Sequence, residues 1–296
     1  MTRAQTTPDI YTRVTDTIVA ELEQGVRPWV QNWTDNSRFV LPKRANGIAY
    51  RGINIVLLWV SAFKGGYQAD RWMTYKQAQE QGAQVRKGEK GTTIVYADSL
   101  TKQETDDQGK EITREIHYLK AYTVFNIEQI EGLPEGERQP PAIVSDVYPI
   151  PALEAFVNNT GAVIRQVDTS SPYYSSSLDT IAMTPIGSFH DREGYYCTLA
   201  HELIHWTMHE TRLNRSFADG KTFTKEAYAK EELVAELGAA FLAATLNITP
   251  TVREDHAQYL NHWLGILKAD KRAIFQAASH AQRAAEYLLE CGKERP

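Results

Sequence analysis

His201-Glu202-Leu203-Ile204-His205 has the form HExxH. Residues four apart lie on one face of an α-helix, so both imidazoles can reach a single metal ion. The carboxylate of Glu202 then stands where it can take a proton from water activated at that ion, as metal-dependent hydrolysis requires. A catalytic zinc site also needs a third protein ligand and one open position. The metzincin pattern would place Gly at 208 and His at 211; the chain has Met208 and Thr211 instead. His209 follows His205 by four residues, but helical drift turns it about 80° from His201. It is expected to be a polar residue near a helix end. Cys197, one turn before His201, is expected to be a small buried residue rather than a ligand.

The third ligand is sought in residues 230–242, where Glu232 and Glu236 share a helical face with Ala235, Ala239, Ala240 and Ala243. Small side chains let such a helix approach its neighbour closely. Glu232 is favoured as the ligand over Glu236 or Glu231, and Glu236 is expected to accept the spare N–H of a ligand histidine. Two imidazoles and a carboxylate suit Zn²⁺, and also Mn²⁺ or another divalent ion. A peptide-cleaving site of this kind further wants a strand edge to align substrate and a donor for the developing oxyanion. Residues 177–184 alternate like a strand, and Tyr173, Tyr174, Tyr195 and Tyr196 are candidate donors among which sequence does not choose.

These residues need elements to hold them. The run Ser188-Phe-His-Asp191 has capping-box form, with Asp in place of Glu or Gln, and predicts a helix from there to about Glu210. Tyr196, Leu199, Leu203 and Trp206 give it an apolar stripe. Helices are also expected over 152–160, 252–269 and 273–291, and strands near 163–167 and 178–183. In the first half, Ile10, Val14, Ile18 and Leu22 mark an amphipathic helix ending at Gly25 and Pro28. Further helices are expected over 53–63 and 74–81, with strands at 84–86, 92–96 and 118–125. Polar residues 101–113 read as a mobile hairpin tip. Proline- and glycine-rich residues 131–142 suggest a linker. The fold class is therefore α+β in two domains: 1–130, a linker at 131–150, and a mostly helical domain with a small sheet at 151–296.

The 296 residues carry a formal charge of −5, unevenly spread. Residues 1–130 hold 17 Lys and Arg against 15 Asp and Glu, whereas residues 131–296 hold 15 against 22. Within 25–97 the count is 11 basic against 4 acidic, and four of the six tryptophans (Trp29, Trp33, Trp59, Trp72) fall there. Cations that track phosphates and aromatic rings that stack on bases are the means of holding single-stranded nucleic acid. The alternative is a set of core tryptophans and merely solvated lysines. No GxxxxGK[ST] pattern supports nucleotide hydrolysis. No apolar run is long enough to span a membrane. The N-terminus carries Arg3 but no uninterrupted apolar core and is not expected to be a signal peptide, and two distant cysteines fit a reducing cytosol, so a cytoplasmic protein is expected.

Several longer motifs carry a resemblance. Arg27-Pro-Trp-Val, Tyr50-Arg-Gly-Ile-Asn54, Trp72-Met-Thr-Tyr-Lys-Gln-Ala78, Gly82-Ala-Gln-Val-Arg-Lys-Gly-Glu-Lys-Gly91 and Val124-Phe-Asn-Ile-Glu-Gln129 resemble the N-terminal domain of ArdC-type antirestriction proteins. Tyr195-Tyr-Cys-Thr-Leu-Ala-His-Glu-Leu-Ile-His-Trp-Thr207, with Arg212-Leu-Asn-Arg215, resembles their zincin-like metallopeptidase domain; Met208 departs from a frequent Gly. The resemblance implies a plasmid- or phage-borne protein that binds single-stranded DNA, has a metalloprotease fold, and shields incoming DNA from host restriction, for instance during conjugation. It implies a catalytic Glu202, metal ligands His201, His205 and Glu232, and DNA contacts from Arg51, Trp72, Lys76, Arg86, Lys87 and Lys90. The competing expectations are a metallopeptidase acting on an unknown protein substrate, a non-catalytic DNA-coating protein with a structural metal, and a primase accessory factor.

Overall fold

Ile10, Val14, Ile18 and Leu22 form the buried stripe of α1 (Ile10–Glu23), which Asp9 caps by accepting the Thr12 N–H. The computed structural model describes residues 9–30, 40–105, 111–134, 150–169, 171–217, 224–248 and 259–293. After β1 (Lys43–Arg44) comes α2 (Ile53–Gly65), apolar along most of its length and closed by left-handed Gly66. Then follow β2 (Arg71–Met73), α3 (Tyr75–Glu80) with a Thr74–Gln77 capping box, and β3 (Gln84–Val85). β4 (Thr92–Thr105) and β5 (Glu111–Asn126) make a long antiparallel hairpin, and β6 (Ile130–Glu131) pairs back on β3. The larger sheet runs β1-β2-β5-β4. β4 lies at its edge, where the Asn54 side chain stands in for a strand: its amide donates to Val95 O and its carbonyl accepts from Val95 N, both at 2.8 Å.

The hairpin corrects the expected tip at 101–113. Pairing continues to Thr105↔Glu111, because β-branched Thr101, Thr105, Ile112, Thr113 and Ile116 sustain the extended backbone. The hairpin's turn, at 106–110, lies outside the described residues.

The second half opens with α4 (Ile150–Thr160), then a three-stranded sheet of β7 (Val163–Gln166), β8 (Tyr173–Ser175) and β9 (Thr180–Met183) in the order β7-β9-β8. β9 is central, parallel to β7 and antiparallel to β8, and all four of its residues are buried. The strand expected to offer a substrate-binding edge is therefore covered on both sides, and the edges among the described residues are β7 and β8. The histidine helix α5 (Arg192–Trp206) starts later than the Ser188 capping box suggests. Asp191 is the cap, accepting the Gly194 N–H at 2.6 Å, while Ser188 ends a 3₁₀ turn. Next come α6 (Lys225–Leu246), capped by Thr224, then α7 (Leu260–Ala269) and α8 (Ala273–Cys291).

α6 is the central helix, packed between α5 and α8. Ala277, Ala278, Ala281, Ala284 and Ala285 of α8 are all buried. The expected linker falls, for residues 135–149, outside the described residues. The helices of the two halves share one hydrophobic core. Trp29 meets Trp263 and Trp59 meets Phe241, with ring centroids 6.3 and 5.8 Å apart, and Gln282 of α8 accepts the Gly52 N–H.

Candidate metal centre

Two helices must come close for a carboxylate on one to meet imidazoles on the other. They do so at Gly238: a Cβ there would stand 2.8–3.0 Å from the Ile204 side chain. Trp263 helps hold α6 in place by donating its indole N–H to Ala229 O at 3.0 Å.

At this contact the side chains of His201, His205 and Glu232 converge, all buried. The two Nε2 atoms are 3.1 Å apart, His201 Nε2 lies 3.4 Å from Glu232 Oε2, and His205 Nε2 lies 3.5 Å from Glu232 Oε1. Ligands about 2.0–2.1 Å from a tetrahedral ion are separated from one another by about 3.3 Å. The three separations bracket that value, so the donor set fits a divalent cation with a fourth position left over. The same crowding is electrostatically lopsided without one. Burial alone would lower His205, but hydrogen bonds to Glu231 and Glu232 outweigh it and raise the imidazole to about 10. Burial would raise Glu232, yet the two histidines hold it well below the usual carboxylate range.

Glu202 is 3% exposed and follows His201 directly in α5, as the motif requires. Behind His205 the carboxylate is Glu231, whose Oε1 lies 3.1 Å from Nδ1. Arg215 grips Glu231 through Nε and Nη2 at 2.8 and 2.6 Å, and also donates to Thr207 Oγ1 and Ile204 O, each at 3.0 Å. Burial would raise Glu231, but Arg215 and then His205 hold it below its ordinary value. Glu236, expected beside a ligand histidine, pairs with Arg27 of the first half, Nη1 to Oε1 at 3.3 Å. The carboxylate against His205 Nδ1 is therefore Glu231, read from sequence only as an alternative ligand. The Arg-Leu-Asn-Arg run held the signal: a buried arginine needs a carboxylate, and Glu231 supplies it. The first arginine of that run, Arg212, lies 3.9 Å over the Trp206 ring, donates to Trp206 O and makes a two-pronged pair with Asp179.

His209 faces Thr211 at 2.9 Å on the surface, and Cys197 is half-buried; neither joins the three-residue cluster. Of the expected oxyanion donors, Tyr174 gives its hydroxyl to Asp179 and Tyr196 gives its own to Glu154, while Tyr195 is buried. Tyr173 is exposed. Sequence reasoning missed Tyr228, one turn before Glu232 on α6 and half-exposed. Burial, the Tyr259 hydroxyl and the Glu232 carboxylate all push its phenol above the ordinary tyrosine range, so it stays a hydrogen-bond donor.

The expected DNA contacts divide. Arg86, Lys87 and Lys90 are exposed together on the turn between β3 and β4, with Arg86 paired to Glu89. Lys76 is exposed on α3, paired to Glu80, and Arg51 pairs with Glu286 of α8. Exposed pairs of this kind are weak and open readily to phosphate. Trp72 is a correction: it is 1% exposed, edge-on to Tyr67 in the core, and offers no face to a base. Trp29 and Trp59 are buried as well, because large apolar rings fill the shared core; Trp33 lies outside the described residues.

Residues 8–125 match the N-terminal domain of anti-restriction factor ArdC, and residues 151–280 match a zincin-like metallopeptidase. An uncharacterized protein of Sinorhizobium fredii, y4eC, is 38% identical over 299 residues, 96% of this chain and 92% of that one. DNA primase TraC of Escherichia coli is 34% identical over 302 residues, 97% of this chain but 27% of the primase. The crystal structure of metal-free antirestriction ArdC protein from the R388 plasmid has 45% identity and a TM-score of 0.80, covering 97% of this chain and 100% of that one. Its Mn(II)-bound form has 43% identity and a TM-score of 0.80, covering 98% and 100%.

Proposed function

Because the chain belongs to the ArdC family of antirestriction proteins, with its zincin-like domain, we propose that it protects incoming DNA by coupling single-stranded DNA binding to metal-dependent peptide cleavage. The observation that carries this reading is the convergence of His201, His205 and Glu232 at spacings that suit one tetrahedral ion. A divalent ion held there, Zn²⁺ or the Mn²⁺ of the related crystal structure, would supply a Lewis acid and an acidified water.

The protein's own groups then have distinct tasks. Glu202 accepts the proton of the attacking water on its carboxylate and delivers it to the leaving amine nitrogen. The Tyr228 phenol donates a hydrogen bond to the substrate carbonyl oxygen as negative charge grows on it. Glu231, anchored by Arg215, keeps His205 in the orientation that aims Nε2 at the ion. The β8 edge, packed beside α5, offers backbone groups to an extended peptide. Arg86, Lys87 and Lys90 meet DNA phosphates.

The test is transfer of an unmodified plasmid into a restricting recipient with Glu202→Gln in place of the wild type. The variant is expected to keep its metal and its affinity for single strands, yet lose protection. Full protection by Glu202→Gln would refute the peptidase route and leave a DNA-coating protein with a structural metal.

A further inference from the structure

The core tryptophans leave open which aromatic rings could meet bases, and the β4–β5 hairpin supplies an answer. Residues opposite one another in an antiparallel pair share a face, and that face recurs every second residue. The register pairs Ile94 with Tyr122, Tyr96 with Lys120 and Asp98 with Tyr118, so these six side chains lie on one face. At the foot of the hairpin Val95 and Val124 are buried, and beyond them the strands leave the core. Tyr96 is 54% and Tyr122 44% exposed, with ring centroids 6.5 Å apart and planes at 80°. Tyr118 adds a third ring, held by its hydroxyl to Asp98 at 2.8 Å, with the Lys120 ammonium 5.0 Å from its centroid.

Cations lie next to this face. Thr92, four residues back along β4 or about 13 Å, lines a cleft of about 460 Å³ together with Arg13, Lys64, Ser61 and Gly91. Arg13 reaches across it to Thr93 Oγ1 at 3.4 Å.

We propose that the hairpin face bearing Tyr96, Tyr118 and Tyr122 is a stacking platform for the bases of single-stranded DNA, with Lys120 and the cleft of Arg13 and Lys64 receiving its phosphates. This rests on the DNA-binding reading above and supplies the aromatic half that Trp72 does not. Three neighbouring rings with a lysine among them suit a polyanion carrying flat apolar groups, because stacking accepts any base and cations accept any phosphate.

The experiment compares an oligothymidylate with an abasic strand of equal length, by fluorescence anisotropy. The proteins are wild type, Tyr96→Ala/Tyr122→Ala, Tyr96→Phe/Tyr122→Phe and Arg13→Ala. The alanine pair is expected to bind thymidylate at least tenfold more weakly and the abasic strand unchanged, with the phenylalanine pair restoring affinity. Arg13→Ala is expected to weaken both strands alike and to reduce the salt dependence. An alanine pair that binds thymidylate as wild type does, or loses both strands equally, overturns the platform while DNA binding stands. A wild-type protein that binds neither strand overturns the DNA-binding reading itself, and the platform with it.

Discussion

Arg215, Glu231 and His205 form a buried relay from the loop after α5 to the metal position. Glu231→Gln keeps the shape but gives His205 Nδ1 a weaker partner, and should reduce metal affinity by about 10- to 100-fold, read by competition with a fluorescent chelator. Removing Arg215 instead strands a buried carboxylate. Arg215→Ala is expected to lower unfolding stability by about 3–5 kcal/mol in urea, and pairing it with Glu231→Gln should recover much of that. The metal position also has a proton ledger. With His205 raised to about 10, the metal-free protein is protonated there at neutral pH, and an ion binds only the neutral ring. Metal affinity should therefore climb as pH rises towards that value. Calorimetry in buffers of differing ionisation heat should register close to one proton released per ion; no release would contradict the pairing of His205 with Glu231 and Glu232.

At the scale of elements, α5 and α6 owe their spacing to Gly238. Gly238→Ala would press a methyl into Ile204, costing about 1–3 kcal/mol, and metal affinity should fall with it; a second change, Ile204→Val, should restore part of both. Both helices were legible from HExxH and from the i, i+4 acids among alanines, and α8 was bounded at Ala273 and Cys291 as its periodicity predicts. What escaped was whatever depends on a partner element. Glu231, Glu232 and Glu236 have similar local surroundings in sequence, which gives no sign that Arg215 meets Glu231 or that Arg27 meets Glu236. Trp72 and Tyr96 are both aromatic residues on strands, yet one faces the core and the other water. β9 looked like an alternating strand, but flanking strands and α5 bury all of it.

Across the whole molecule, the first half is more than an appended binding module. α1 packs on α7 and α2 on α8, and Arg27 reaches Glu236, one turn beyond Glu232 of the buried cluster. An interface this apolar binds the β4–β5 hairpin and the His201–His205–Glu232 cluster into one body. Affinity for single strands should drop steeply with salt, by about 0.7 in log–log slope for each phosphate neutralised, and a salt-independent affinity would refute the phosphate contacts. Elemental analysis of the purified protein should find close to one divalent ion per chain, lost in both His201→Ala and Glu232→Gln while circular dichroism shows the helices intact. Folded variants that keep the wild-type metal content would contradict the site.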